Sequence, residues 1–444
     1  MAKRHFKKKA PPSEAFRVQV ESLSHDGRGL ARPEGKALFI DGALPGEEVL
    51  CEYTYVSKRY SEARVLEVVQ ASPDRVTPVC SKAQVCGGCS LQHMASSAQI
   101  QHKQDTLAEH YAHFGGLDLP TLLPPVQALT EGYRRKARLA VRYVPKKGGV
   151  LVGFREKRTS KVAEIDACPV LDARVGQRIS AIRQLLDAMP AKASIAQIEV
   201  AMGDDQVALV FRHLEALSEL DMSLLTQFGA QHQCWIYLQA AGPDSVRRIY
   251  PDEDMAYLNY RLPAWPLEML FNPLYFTQVN ASINASMVAE ALRLLDLKAS
   301  DRVLDLFCGL GNFTLPIARH CKEVIGVEGS AAMVQRGEMN ARHNQIDNAF
   351  FYQADLTQDL RKMPWAQGGF DKVLLDPPRS GALEVVENIS LLAPSKIVYV
   401  SCNPATLARD AGALKNLGYR LQATGVMDMF PHTSHVESIA VFER

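Results

Sequence analysis

Apolar and polar positions alternate with a period of two over the first part of the chain. Phe16, Val18 and Val20 are spaced in this way, and Ala37–Ile40, Val49–Tyr55 and Ala63–Val68 are further β-rich runs. Turn signals, His25-Asp26-Gly27 and Pro45-Gly46, separate them. Successive side chains of a strand point to opposite faces, so this rhythm predicts short strands with one buried face. Residues 10–72 are therefore expected to form a small antiparallel β-barrel of the OB type, which often binds oligonucleotides and equally serves as a plain structural module. A cysteine-rich stretch at 80–89 and a helix over Ser96–Phe114 follow. A proline-rich linker, Leu119-Pro120 to Pro124-Pro125, then leads into a basic, strand-like region over 133–170.

From about residue 270 the rhythm changes. Ile283, Met287, Ala291 and Leu295 fall on one helical face, and apolar strands recur at Val303-Leu304, Val324–Val327, Val373–Leu375 and Ile397–Val400. Strands alternating with helices predict an α/β layer: a parallel sheet with helices on both faces. The chain thus divides into a barrel (10–72), a central part (73–268) and an α/β part (269–444).

At 444 residues the chain is too long for one ordinary core, which agrees with that division. An apolar fraction of 47% and a charged fraction of 22% are normal for a soluble globular protein. No run approaches the roughly 18 apolar residues of a membrane span, and no signal peptide opens the sequence. A cytoplasmic monomer without a membrane partner is the expectation.

The net charge of +1 announces no polyanionic partner, but its distribution does. Between Arg134 and Lys161 stand eleven Lys or Arg and one acid, Glu156, an excess that fits phosphate contacts better than a merely solvated face. The opening MAKRHFKKK is either a solvated tail or a basic arm on nucleic acid.

The segment Val303-Leu304-Asp305-Leu306-Phe307-Cys308-Gly309-Leu310-Gly311-Asn312-Phe313 reads as a strand, a glycine turn and a helix start. Such glycines let a backbone pass close to a ligand, and Asp305 is placed to hold a cationic amine. The next strand ends in Gly326-Val327-Glu328, where a carboxylate meets a ribose hydroxyl pair in dinucleotide folds. Ala354-Asp355 after the following strand is positioned for an adenine amine. The three elements in this order favour S-adenosylmethionine over a dinucleotide.

Two further motifs end strands at the same edge. Leu375-Asp376-Pro377-Pro378-Arg379 is a rigid loop, because neither proline continues a helix or a ladder. Val400-Ser401-Cys402-Asn403-Pro404 brings a thiol to that edge, and a thiol there is a candidate nucleophile. Pro431-His432-Thr433-Ser434-His435-Val436-Glu437, before the last strand, supplies His and Glu candidates for a base.

Ser401-Cys402-Asn403-Pro404, the Asp376-Pro-Pro-Arg loop, His435-Val436-Glu437-Ser438 and Phe276-Thr277-Gln278-Val279-Asn280 together resemble the RNA uracil-C5 methyltransferase family. The resemblance implies Cys402 as nucleophile and Glu437 as proton-abstracting base. It implies Gln278, Phe307, Asn312, Glu328, Asp355 and Asp376 at the S-adenosylmethionine site, with Gln278 and Asp376 also facing the uracil. The chemistry explains the thiol. Carbon 5 of uracil is too weak a nucleophile unaided, and thiolate addition at carbon 6 makes an enolate that is strong enough.

Cys80, Cys86 and Cys89 form C-x5-C-x2-C, with Cys168-Pro169 further on, which suits one tetrahedral-sulfur site, zinc or iron–sulfur. The spacing is similar to that of family members with a [4Fe–4S] cluster, which implies that cofactor. Cys51, Cys234, Cys308 and Cys321 are expected to be packing residues. The barrel resembles a TRAM domain, an RNA-binding module. The resemblance as a whole implies an α/β protein with a Rossmann-like class I methyltransferase domain at 269–444. Before it come a central α+β cluster-binding domain with a basic RNA-binding surface (73–268) and the OB-like TRAM barrel (10–72). Barrel, cluster and methyltransferase in this order are similar to the family's 23S ribosomal RNA enzymes, which implies that RNA as partner and uracil 1939 as target. Other readings are a uracil-C5 enzyme of transfer RNA or another ribosomal site, a radical-type methylthiotransferase, and a non-catalytic RNA-binding relic. The radical type calls for C-x3-C-x2-C and a barrel at the other end, and the relic is at odds with Cys402, Asp376 and Glu437 occurring together.

Overall fold

The computed structural model describes residues 12, 14–119, 121–252, 257–392 and 394–444. The basic run at 1–9 and Pro120 of the linker lie outside the described residues. Two units make up the chain: residues up to Lys103 with Pro431–His435, and Gln104–Phe430 with Val436–Arg444.

In the first unit, β1 (Phe16–Gln19), β2 (Ser22–Leu23), β3 (Gly29–Ala31), β4 (Ala37–Asp41), β5 (Glu48–Val56) and β6 (Tyr60–Gln70) form one sheet in the order β1-β5-β6-β4-β3-β2. β1 and β2 are a single stretch of chain bent at Val20-Glu21, and it pairs with β5 at one edge and β3 at the other. The sheet therefore curls shut around Val20, Leu38, Ile40, Val49, Cys51 and Ala63. One pair departs from the all-antiparallel expectation, since β4 and β6 run parallel. The excursion through β5 supplies the long return that a parallel pair requires.

Residues 431–435 complete this unit. The amides of Ser90 and Leu91 donate to the His432 carbonyl at 3.0 and 2.9 Å. Buried Gln99 accepts the His432 amide (2.8 Å) and donates to the carbonyls of Leu91 and Met94 (3.1 and 2.8 Å). Gln99 lies on α1 (Ser96–His110), which ends earlier than the predicted Phe114 because Tyr111–Gly115 widens into a π turn closed by left-handed Gly116.

The second unit holds two main sheets. β7 (Thr121–Leu122) belongs to the larger one. β8 (Lys136–Val144), β9 (Gly149–Gly153), β10 (Ile195–Met202), β11 (Val207–His213), β12 (Trp235–Gln239) and β13 (Val246–Tyr250) form the smaller, in the order β13-β12-β11-β10-β8-β9. Its apolar face packs with α2 (Ala173–Gly176), α3 (Ile179–Ala188) and α4 (Glu219–His232). The basic region is strand only through Gly153, after which turns take over.

The hairpin β14 (Leu258–Leu262) and β15 (Leu267–Phe271) precedes α5 (Ala281–Leu295). Asn280 caps α5 through the Ile283 amide (3.3 Å), and the predicted face of Ile283, Met287, Ala291 and Leu295 is fully buried. Then come β16 (Arg302–Leu306), α6 (Thr314–Ala318), β17 (Glu323–Glu328), α7 (Ala331–His343), β18 (Ala349–Gln353), β19 (Lys372–Leu375), α8 (Leu383–Ile389), β20 (Lys396–Ser401), α9 (Pro404–Asn416), β21 (Arg420–Met427) and β22 (Glu437–Glu443). The sheet order is β18-β17-β16-β19-β20-β22-β21-β7. Neighbouring strand residues divide between its faces: Leu374 and Val398 pack with α5, Leu375 and Tyr399 with α8 and α9. Each such buried Leu contributes about 1.5–3 kcal/mol. The expected parallel sheet is parallel from β18 to β20, but β22 runs antiparallel to both its neighbours. The loop joining β21 to β22 is too short for a crossover, so the chain turns straight back. Among the described residues no helix is long and apolar enough to cross a membrane.

Candidate functional site

Phe307, Asn312, Glu328, Asp355, Asp376 and Cys402 follow the carboxyl ends of the parallel strands, where open α/β sheets bind ligands. Glu437 begins antiparallel β22 beside Cys402, and Gln278 lies on the segment leading into α5. After β16 the chain turns through left-handed Phe307 (φ 65°), Gly309 (φ 56°) and Gly311 (φ 98°). Phe307 has a Cβ and is strained there. Two bonds hold the turn, from the Phe307 and Cys308 amides to the Val327 carbonyl (2.9 and 3.1 Å). At the tip of β17, Glu328 accepts from the amides of Gly309 (3.3 Å) and Ser330 (3.0 Å). Asp355, beyond β18, accepts from the Thr357 amide and hydroxyl (3.0 and 2.7 Å), and these bonds hold its carboxyl below the usual range. Phe307, Glu328, Ala354, Asp355 and Pro378 line one cleft of about 790 Å³.

Beneath the turn, Asp305 is fully buried. Its Oδ2 accepts from the Thr314 hydroxyl at 2.5 Å, while Oδ1 has no partner among the described residues. Burial pushes this carboxyl up to about 8, and the charges of Asp376 and Glu328 act in the same direction. Asn312 is engaged within the protein. It exchanges two carboxamide bonds with Asn284 (2.9 and 3.0 Å) and accepts from the Tyr260 hydroxyl (2.8 Å). The sequence reading missed Thr314, Asn284 and Tyr260, which no motif marks. Gln278 is half-buried on the segment leading into α5. That segment is anchored by β8 and the residue before it: Arg135 donates its amide to the Val279 carbonyl (2.8 Å), and the Lys136 ammonium donates to the Tyr275 carbonyl.

The thiol stands one residue beyond β20. Ser401 pairs with Ser438 across β20 and β22, which sets Cys402 beside Glu437. Glu437 is buried and Cys402 half-buried. Burial pushes the thiol up to about 11, Glu437 and Asp376 push the same way, and Arg379 opposes them. Burial also lifts Asp376 to about 7. Thiol, two acids and one cation thus share one edge of the sheet. His432 and His435 lie in the closing segment of the first unit.

The basic run does not face solvent uniformly. Arg135 pairs with Asp204, Arg138 with Glu199, and burial lowers the Lys136 ammonium to about 8. Arg142, Lys146 and Lys147, around the β8–β9 turn, are exposed.

Cys86 is buried and Cys80 and Cys89 half-buried in the first unit, and Cys168 is half-buried in the second. The Gly88 amide donates to Cys86 Sγ at 3.4 Å. Among the described residues no group of three or more His, Cys, Asp or Glu side chains is arranged to hold a metal ion. Cys51, Cys234, Cys308 and Cys321 are buried.

Known proteins match this architecture along nearly its whole length. A 23S rRNA (uracil(1939)-C(5))-methyltransferase RlmD of Alcanivorax borkumensis is 53% identical over 439 residues, covering 99% of this chain and 98% of the relative. The protein of the same description from Alkalilimnicola ehrlichii is 52% identical over 434 residues, covering 98% and 97%. The crystal structure of Pyrococcus abyssi tRNA (uracil-54, C5)-methyltransferase in complex with S-adenosyl-L-homocysteine superposes with a TM-score of 0.72 at 25% identity, covering 96% of this chain and all of that one. Residues 13–66 match the TRAM domain. Residues 95–444 match the tRNA (Uracil-5-)-methyltransferase family, and the chain belongs to that family.

Proposed function

We propose that this protein methylates carbon 5 of a uracil in 23S ribosomal RNA, at position 1939, with S-adenosylmethionine as donor. The observation that carries the reading is the grouping of Cys402, Glu437 and Asp376 at the edge of the sheet that also bears the cleft. The two RlmD relatives, half identical over nearly the full length, support the choice of RNA.

The cleft residues fit the donor. Glu328 and Asp355 offer carboxylates to its hydroxyls and adenine amine and Phe307 offers a ring, while beneath the turn the Oδ1 of buried Asp305, without a partner among the described residues, suits a cationic neighbour. Gln278, Asn312 and Asp376 complete the proposed set. When bound, S-adenosylmethionine supplies an electrophilic methyl group. The protein's own work lies on the uracil. Cys402 releases its proton to water and adds to carbon 6 as thiolate, and the electron pair of the carbon 5–carbon 6 double bond moves onto the carbon 4 oxygen as an enolate. Asp376, pushed up to about 7, carries a proton part of the time near neutrality and donates to a uracil oxygen. After methyl transfer Glu437 takes the proton from carbon 5, and collapse of the enolate expels the thiolate. Because a stacked base hides carbon 6, the target is flipped out of its helix. In this reading the TRAM barrel (10–72) and the central part (73–268) grip RNA, residues 269–444 do the chemistry, and the enzyme acts as a cytoplasmic monomer.

Cys80, Cys86, Cys89 and Cys168 are proposed to hold a [4Fe–4S] cluster. Their chemistry fits, with four thiols and an amide already donating to Cys86 Sγ. The described side chains are not gathered around a metal, so no step of the reaction is routed through a cluster. The decisive experiment is methyl transfer from labelled S-adenosylmethionine to unmodified 23S ribosomal RNA, with the modified position mapped. Transfer to transfer RNA alone would replace the substrate and keep the chemistry.

A further inference from the structure

The residues flanking Cys402 are tied to each other. The Asn403 amide donates to Ser401 Oγ, which donates in turn to the Asn403 carbonyl, both at 3.1 Å. The Asn403 side chain works in two directions. Its Oδ1 accepts the Ala405 amide (3.2 Å) and so caps α9, while its Nδ2 donates to the carbonyl of Arg379 at 2.9 Å. The Thr406 hydroxyl donates to the Asn403 carbonyl at 3.0 Å and lies 3.4 Å from the Arg379 carbonyl. Further along the loop, Arg409 donates to the Ser380 carbonyl (3.0 Å), and the Ala382 amide donates to buried Asp410 (2.7 Å). The Asp376–Ala382 loop is thus stitched to α9 at several points, and Asn403 is the stitch adjoining the thiol.

We propose that Asn403 is a positioning residue for the nucleophile, gripping the Arg379 carbonyl so that the Asp376–Arg379 loop and the Cys402 thiol meet the uracil ring at fixed separation. The inference rests on the reading of Cys402 as the nucleophile. Its physical basis is proximity: a shift of about 1 Å between reacting groups costs on the order of a hundredfold in rate. The grip also keeps Arg379, the cation that opposes the two acids around the thiol, next to Cys402.

A helix cap alone would explain Oδ1 but not Nδ2, and substitution separates the two roles. Ser and Asp cap helices about as well as Asn, and neither offers an N–H to Arg379. In the full-length protein, Asn403→Ser and Asn403→Asp are expected to melt within about two degrees of wild type and to bind RNA within about twofold. Their rate of covalent trapping by RNA carrying 5-fluorouracil is expected to fall about 10- to 100-fold. Their pH for half-maximal trapping should rise, more in the Asp variant. Trapping by either variant at the wild-type rate overturns the proposal. So does a loss of rate in strict proportion to a loss of melting temperature, with Asn403→Ala as the reference for an uncapped helix. Cys402→Ala in the same experiment keeps the two questions apart, since a trapped complex there would sink the nucleophile assignment itself.

Discussion

Ser401 and Ser438 face each other across β20 and β22, and the Ser438 hydroxyl donates to the Ser401 carbonyl at 3.3 Å. This register makes neighbours of Cys402, just past the end of one strand, and Glu437, at the start of the other. A slip of one residue would turn Glu437 to the opposite face of the sheet. The antiparallel turn-back of β22 is therefore what joins the thiol to its acid.

Two variants at this junction should fail differently. Cys402→Ala is expected to bind RNA and transfer no methyl, with no covalent complex on a denaturing gel. Glu437→Gln keeps the thiol and loses the base, so it should methylate once and stall as a protein–RNA adduct. Normal turnover by Glu437→Gln would move the base elsewhere and leave the thiol step intact.

Asp305 gives a pH signature. Folded, it keeps its proton up to about 8, whereas an unfolded aspartate releases it near 3.8. The folded state binds more protons between those values, so this contribution to stability is full below about 4 and is lost as pH rises through about 8. In Asp305→Asn that part of the decline should vanish, and the ligand-free variant should out-melt wild type at pH 8. Parallel melting curves for the two proteins from pH 5 to 8 would contradict the burial argument.

Salt dependence should locate the phosphates. Replacing Arg142, Lys146 and Lys147 with Gln is expected to make the slope of log affinity against log salt shallower by about 2, at roughly 0.7 per contact to single-stranded RNA. Lys136→Met, by contrast, should lower the melting temperature and leave the slope alone, because its ammonium already serves the Tyr275 carbonyl. An unchanged slope in the triple variant places the RNA on another surface.

The metal proposal is checked by colour and analysis. Protein purified without oxygen should be brown, with about four irons and four sulfides per chain. Cys80→Ala, Cys86→Ala, Cys89→Ala or Cys168→Ala should lose them and melt earlier. Colourless native protein with stoichiometric zinc would refute the cluster.

Periodicity made much of this architecture legible. Ile283, Met287, Ala291 and Leu295 mark a helix face because a 3.6-residue turn brings them into line, and all four are buried. Strand ends followed by glycine or proline announced the ligand edge. What stayed hidden depends on partners distant in sequence. Asn312 meets Asn284 across 28 residues and Tyr260 across 52, and no local pattern encodes either encounter. A count of charges likewise says nothing about direction. Arg135 and Lys136 belong to the basic run, yet one pairs with Asp204 and the other is drawn inward to a carbonyl. Strand direction was missed at β6 and β22, since alternation reports which face is buried and not which way a neighbour runs.

The segment 431–435 has a consequence for how the protein is made. Gln99 and the His432 amide it accepts are 333 residues apart. At about 5–20 residues per second, synthesis takes on the order of half a minute to cover that interval. The first unit therefore waits unfinished, the Gln99 carboxamide oxygen and the Ser90 and Leu91 amides still without their His432 partners. It is completed by a piece of chain that emerges immediately before Glu437, so this unit, although most of it precedes Gln104, is among the last to close.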